Sequence, residues 1–496
     1  MLLVHNYLFI LNTDGISYIH IAQNYVNDRF FYAVNGYWSP MYSWLLIPFL
    51  MIWQGKLEIL FSIKLLNLLI GCLTFLGVYL IIDKLNFNIK LKIATLIILI
   101  PNLLFFAFYK TTPDLLVLTL LIFYLNILLN SEYLHNLRMG VLAGFFGAIA
   151  FLSKSYVFFF FLVHFAVVNI DYWLKYKENR KIITKNCILG LLVFLCISGV
   201  WVGLISVKYD KFTIGTSGTY NYDVFGPERQ GHPTYYEGLM SPYDQYATSV
   251  WDDPSYTEVQ NWSPFSSYNN FYYQLQMVYN NMLETFKIIE SFSILSIFII
   301  ILAIFLLYKS SNQTYKNKLR LFLLTVFIYS VGYCFIFVEA RYLWFIDILL
   351  IVLGLFITKI LIEECVFNKA FSVILILLLS WSFILYPVFG LYDVSGDGIE
   401  IYNLAENLNK YDIQGTNIAA SSADWRDSLI LSYYLDTKYY GLTKLNSSEK
   451  EISEELHKNN IEYYIWWLNH SIDIPGYEKI EDPSFSYPIV YRRINN

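Results

Sequence analysis

Four charged side chains interrupt an otherwise apolar chain at positions where chemistry would need them. Asp14 follows the first apolar stretch, Asp114 opens DLLVLTLLIFYL, Lys154 breaks AFLSKSYVFFFF, and Arg341 sits within EARYLWF. An ionised group at the centre of a membrane helix costs about 2.5–3.5 kcal/mol and less near the interface, so such groups belong at helix ends or in watered cavities. A carboxylate there can take a proton, and a fixed ammonium or guanidinium can hold an anion as charge develops on it. Each residue also has a purely structural reading. Asp14 would cap the helix GISYIHIAQNY. Thr112, Pro113 and Asp114 together make a good helix start, with the acid favoured by the dipole. Lys154 would snorkel to the interface, although Gly144 and Gly147 invite close helix packing there. Arg341 would pair with Glu339 instead of clamping a phosphate. In the long polar loop 207–285, Arg229 and His232 are further candidates, since loops carry function. Tyr18 and Tyr342, beside two of the charged residues, are candidates for touching substrate.

The elements that must position these residues are helices in a bilayer. The chain has 496 residues, 56% of them hydrophobic and 15% charged, and its mean hydropathy is +0.46. Those values exceed what a soluble domain carries and suit a polytopic membrane protein. Aromatic residues reach 19%, as expected where amphipathic rings settle at the interface. A net charge of −5 leaves no basic field for nucleic acid. Cys72, Cys187, Cys196, Cys334 and Cys365 lie in or beside apolar segments at spacings no zinc site uses, and read as buried core thiols.

Apolar runs near 57–82, 91–108, 114–130, 139–153, 155–173, 187–206, 286–308, 321–338, 343–362 and 370–388, with a short first segment, predict about eleven crossings. Residues 16–34 and 41–53 read as amphipathic helices at the membrane surface. No basic n-region or cleavage site precedes Asp14, so no removable signal peptide is expected. Lys84, Lys90, Lys92, Arg138, Lys175 to Lys185 and Lys309 to Arg320 fall in one set of connections, which the positive-inside rule makes cytoplasmic. Asp14, Asp114, the loop 207–285 and the C-terminal tail then share the outer side. The tail alternates strand and helix: NIAASS, DWRDSLILSYYL, KYYGL, SSEKEISEELHKNN and IEYYIWW. It reads as a small α/β domain over 390–496, beyond a transmembrane domain over 1–389 with outer loops 13–56 and 207–285.

In order along the chain, the outer Asp14, NGYWSPMYSWLL, TTPDLLVLTL, AFLSKSYVFFF and EARYLW resemble the GT-C membrane glycosyltransferases. The resemblance is to relatives of the dolichyl-phosphate-mannose protein mannosyltransferases and the lipid A aminoarabinose transferases, and it covers about residues 12–345. It implies a polytopic helical fold and an inverting transfer of a sugar from a polyprenyl-phosphate-linked donor to a lipid, glycan or protein acceptor at the outer face. It assigns Asp14 as catalytic base, groups Asp114 with it in the catalytic site as the acid that starts a later helix, and assigns Lys154 and Arg341 to the donor phosphate. Gly15 stands where the family often has a second acid, a departure that argues against a bound divalent metal without excluding one, and no cofactor is firmly predicted. Two other readings remain at this stage. A transporter would place its polar groups near the midplane and often shows repeats, which this sequence lacks. A non-catalytic envelope-assembly protein would not require Asp14, Lys154 and Arg341.

Overall fold

The computed structural model describes residues 2–227, 231–364 and 369–494. Every apolar run read from the sequence becomes helical, and antiparallel hairpins build them into a multi-pass bundle. Among the described residues, six helices are long and apolar enough to cross a membrane: Lys56–Lys84, Ile89–Tyr109, Val157–Lys175, Lys177–Lys208, Ala340–Glu363 and Phe371–Asp393. A seventh qualifies if the pair Tyr268–Phe292 and Ser296–Lys309, bent by 100°, counts as one span. The expected eleven crossings are therefore not reached by length and apolarity. The first segment is only the helix Leu2–Tyr7, and the run 286–308 is broken at Ser293 to Leu295. Asp114–Leu128 and Arg138–Ser153 are short, and Gln313–Cys334 carries Lys316, Lys318 and Arg320 near its start.

The central helix, Trp344–Glu363, is buried along nearly its whole length, whereas its neighbours turn apolar faces outward. That outward apolarity corrects the reading of the cysteines. Cys72 and Cys196 are exposed, Cys187 is half-buried, Cys334 is buried, and Cys365 lies outside the described residues. In a bilayer protein an apolar surface needs no protein cover, so apolar surroundings do not imply a core position. Close packing occurs where glycine permits it: a Cβ at Gly144 would lie 2.1 Å from the Gly190 carbonyl oxygen.

The bundle has two unlike ends. At one, the basic connections meet: Lys318 donates to the Lys84 carbonyl at 2.7 Å, and Arg320 pairs with Asp171 at 2.9 Å. At the other, the ends of Ile89–Tyr109, Arg138–Ser153 and Arg180–Lys208 meet the starts of Asp114–Leu128, Val157–Lys175 and Trp344–Glu363. Lys64, fully buried, fastens this end by donating to the carbonyls of Ile10 and Phe108 at 2.8 and 3.1 Å.

Over this end lies a five-stranded mixed sheet: β1 Asn417–Ala420, β2 Lys438–Leu442, β3 Tyr463–Trp466, β4 Tyr477–Lys479 and β5 Ile489–Arg493, in the order β2-β1-β3-β5-β4. β1 pairs in parallel with β2 and β3, while β5 runs antiparallel to β3 and β4. The helices Trp425–Leu435 and Glu449–Lys458 cross between the parallel strands, and Ser448 and Glu451 form a capping box on the second. Alternation with period two divides the sheet's faces. Ile418, Ala420, Tyr463, Ile465 and Val490 join the core that runs down into the bundle, while Ala419, Tyr464, Trp466 and Tyr491 pack on the helix Glu449–Lys458. Position 390 lies inside the helix Lys369–Asp393, and one face of the sheet shares a hydrophobic core with the bundle.

The loop 207–285 ties the layers together. Met240 N–H donates to the Tyr440 carbonyl and Tyr439 N–H to the Thr248 carbonyl, at 2.8 and 2.7 Å, so this loop occupies the edge of β2. His20, on the helix Thr13–Val26, meets Asp252 of the loop at 3.1 Å.

Candidate active site

Where two chain segments must approach closely, the sequence supplies a glycine. A Cβ at Gly15 would sit 2.7 Å from Thr111 Cβ, so the start of Thr13–Val26 can lie against residues 111–114 only with glycine there. Asn12 reinforces the contact: its side-chain oxygen accepts from Thr111 N–H at 2.8 Å. Asn12, not Asp14, holds the cap position of the helix. The absence of a second acid after Asp14 thus has a steric cause.

This approach puts both carboxylates beside both cations. Arg341 donates through Nη1 to Asp14 Oδ2 at 2.7 Å and through Nε to Glu339 at 2.5 Å, and its Nε lies 3.9 Å from Asp114. Lys154 donates to Asp114 Oδ1 at 2.6 Å, and its ammonium sits 3.5 Å from the centre of the Tyr342 ring. Thr112 does not cap the backbone as the sequence suggests; its hydroxyl donates to Asp114 Oδ2 at 2.7 Å. The Arg341–Glu339 pair exists, but it is one arm of a larger network. Among the described residues, no group of three or more His, Cys, Asp or Glu side chains is arranged to hold a metal ion, and Arg341 lies between the two aspartates.

All these groups line a single cavity of about 1570 Å³. Tyr18 lines it too, its ring edge-on to Trp38 and Tyr42 at 5.4 and 5.5 Å. Burial, reinforced by Asp114 and Asp14, pushes its phenol well above the ordinary value, so it presents a hydroxyl and not a phenolate. His232 lines the cavity, packed edge-on against Trp251 at 5.1 Å. Burial pushes its imidazole down to about 4 against the pull of Asp14, leaving a neutral ring at neutral pH. Arg229 lies outside the described residues.

Reasoning from sequence missed Trp251, whose indole N–H donates to Asp14 Oδ1 at 3.3 Å. The loop holds it firmly. Its carbonyl accepts from Ser17 and from the Trp38 indole at 3.1 and 3.0 Å, and Asn35 accepts from Tyr37 and Trp38 N–H while donating to the Asp252 carbonyl at 2.8 Å. WDDP, a tryptophan before two acids in a polar loop, was the available signal. Reasoning from sequence also missed Trp425, Arg426 and Asp427, and Asp397 and Glu400, which line the same cavity.

The fold so described matches that of solved structures. With ArnT from Cupriavidus metallidurans bound to undecaprenyl phosphate, the chain shares a TM-score of 0.53 and 13% identity over 99% of this chain and 95% of that one. The apo state of the same ArnT gives 0.50 and 11%, over 93% and 90%. Archaeal oligosaccharyltransferase AglB from Archaeoglobus fulgidus, in complex with an inhibitory peptide and a dolichol-phosphate, gives 0.51 and 11%, over 94% and 67%. No family model and no curated relative matches the sequence.

Proposed function

We propose that the protein is an inverting glycosyltransferase that moves a sugar from a polyprenyl-phosphate-linked donor to an acceptor at the extracytoplasmic face of the membrane. The observation that carries this reading is the junction of Asp14, Asp114, Lys154 and Arg341 within one cavity whose flank opens on apolar helix surface. Phe159, Val163, Phe327 and Phe335, all more than half exposed, line that flank between the helices Val157–Lys175 and Gln313–Cys334. A donor of this class needs a cationic site for phosphate next to an apolar path for its chain, and both are present. The fold supports the same reading, since matched structures hold undecaprenyl phosphate and a dolichol-phosphate.

In the proposed reaction the acceptor's hydroxyl or amine attacks the anomeric carbon from the face opposite the phosphate. The carbon–oxygen bond to phosphate breaks, its electron pair leaves with the polyprenyl phosphate, and the anomeric centre inverts. Asp14 Oδ1, whose one hydrogen bond among the described residues is the long Trp251 contact, is the oxygen that takes the acceptor's proton. Lys154 and Arg341 balance the charge gathering on phosphate. Arg341 spends Nη1 on Asp14 and Nε on Glu339, which leaves Nη2 to meet the phosphate. Asp114 is assigned the holding of Lys154.

The test is release of polyprenyl phosphate from a panel of lipid-linked sugars by the purified protein. Asp14→Asn keeps the side chain's shape and should lower turnover by about 10² or more while donor binding persists. Near-normal turnover in a correctly inserted variant would remove Asp14 as the base.

A further inference from the structure

The far end of the cavity differs in kind from the phosphate end. Tyr235 is 41% exposed there, and its ring tilts against Trp425 at 5.9 Å. Trp425 stands edge-on to Trp251 at 5.4 Å, and Trp251 reaches Asp14. An aromatic wall therefore runs unbroken from Asp14 to the mouth. Three carboxylates, Asp397, Glu400 and Asp427, line this end against two cations, Arg426 and, toward the phosphate end, Lys110. Thr234, next to Tyr235 and lining the cavity, is 3% exposed, and its hydroxyl has no hydrogen-bond partner among the described residues. A buried hydroxyl in that state favours a ligand that supplies one.

We propose that Tyr235, Trp425 and Asp427 form the acceptor subsite, and that it takes a polyhydroxylated sugar that is uncharged or aminated, not an anionic one. The proposal rests on the transferase reading above and names its acceptor class. A sugar presents C–H faces that lie on aromatic rings and hydroxyls that donate to carboxylates, which accept on both oxygens. The excess of carboxylates repels phosphorylated or carboxylated acceptors, whose charge is steered away before contact. It also keeps the donor's phosphate at the Lys154 and Arg341 end, so the two substrates enter a single cavity with opposite polarity.

The test uses the full chain in lipid nanodiscs, probed against an array of neutral, aminated, carboxylated and phosphorylated oligosaccharides. Wild-type protein should retain only neutral and aminated members. Tyr235→Ala and Asp427→Asn should weaken that binding at least tenfold, and Asp427→Lys should turn the preference toward anionic members. Lys450→Ala, on an exposed helix face outside the cavity, serves as control. Retention of anionic glycans by wild type, no retention of any member, or unchanged binding in Tyr235→Ala would overturn the subsite. Release of polyprenyl phosphate from lipid-linked sugars is read in the same preparations. If wild-type protein releases it while glycan binding fails, the subsite alone falls; if no release occurs, the transferase reading falls and the acceptor assignment with it.

Discussion

The two ends of the cavity solve opposite problems with similar side chains. At the inner end Asp14 and Asp114 are matched to Arg341 and Lys154 at 2.7 and 2.6 Å, with side chains no more than 20% exposed. At the mouth, Asp397 and Glu400 stand exposed, with Arg426 beside them and Lys110 between the two ends of the cavity. Buried charges must be paired because desolvation is expensive, whereas exposed ones are supported by water. A ligand at the inner end must therefore exchange with a protein partner, and one at the mouth exchanges with water. The first arrangement suits a group held in fixed geometry through a reaction, and the second a partner that comes and goes.

The largest expected effect comes from breaking the inner pairing. Asp114→Asn leaves Lys154 without its counter-ion and should destabilise the protein by about 3 kcal/mol, the low end for a buried pair because Lys154 retains some access to water. Lys154→Met alone should cost less, because Thr112 and Arg341 still face Asp114. The double variant Asp114→Asn/Lys154→Met should recover most of the stability without restoring donor binding. Thermal unfolding together with a donor-binding measurement separates the two. If stability and donor binding return together, the pair is structural and the phosphate lies elsewhere.

Gly15→Ala ranks next. The added methyl would meet Thr111 Cβ at 2.7 Å, and overpacking of this kind typically costs about 1–3 kcal/mol. It should also lower turnover, because the start of Thr13–Val26 moves and takes Asp14 with it. An active, fully stable Gly15→Ala protein would mean that the approach of the two segments can relax without effect on Asp14.

The same two ends differ in how far the sequence exposes them. At the inner end Asp14, Asp114, Lys154 and Arg341 interrupt apolar runs, and the cost of charge in a bilayer makes such interruptions conspicuous. The helical runs were legible for the same reason, and β1, β2 and β3 followed from alternation and turn residues. The mouth was hidden. Tyr235, Trp251 and Trp425 are three among 43 tyrosines and 12 tryptophans, and nothing local separates a wall residue from an interfacial one. Long-range contacts, such as Tyr439 with Thr248, decide which aromatics meet. The bend at Ser293 was less legible: Ser291, Ser293 and Ser296 interrupt the run 286–308, but nothing local says that the chain turns there by 100°. The structural reading of Asp14 as a cap failed because Asn12, two residues earlier, takes that position and leaves the carboxylate to Arg341.

Trp251→Phe should have a smaller effect than either change at the inner end. It keeps the aromatic wall and removes one long hydrogen bond to Asp14, for which about 1 kcal/mol is the scale, or roughly a fivefold loss of turnover. Acceptor binding should change less than turnover, since the ring remains. A fall in acceptor affinity with turnover intact would assign Trp251 to the mouth instead of to the base.

The smallest effect tests the mouth's charge directly. Burial, then the neighbouring Asp424, pushes the Asp427 carboxyl up to about 6; Arg426 opposes this and Asp397 adds to it. A carboxyl raised in the folded state contributes stability that is present while it stays protonated and is lost as pH rises through about 6. Asp427→Asn removes that loss. The variant should therefore unfold at the same temperature as wild type near pH 4 and at a slightly higher one near pH 8, with the gap opening between. Asp427 keeps substantial contact with solvent, so screening holds the shift to a degree or so on the usual scale for tenths of a kcal/mol, roughly 4–8 °C per kcal/mol in small domains and less in larger ones. Residues that cost stability where they stand are common at binding sites, because the interaction that repays them arrives with the ligand. If the two proteins unfold together across the whole range, the mouth holds no such strained charge. Asp427 is then ordinary surface, and the contrast between the two ends rests on Asp397 and Glu400 alone.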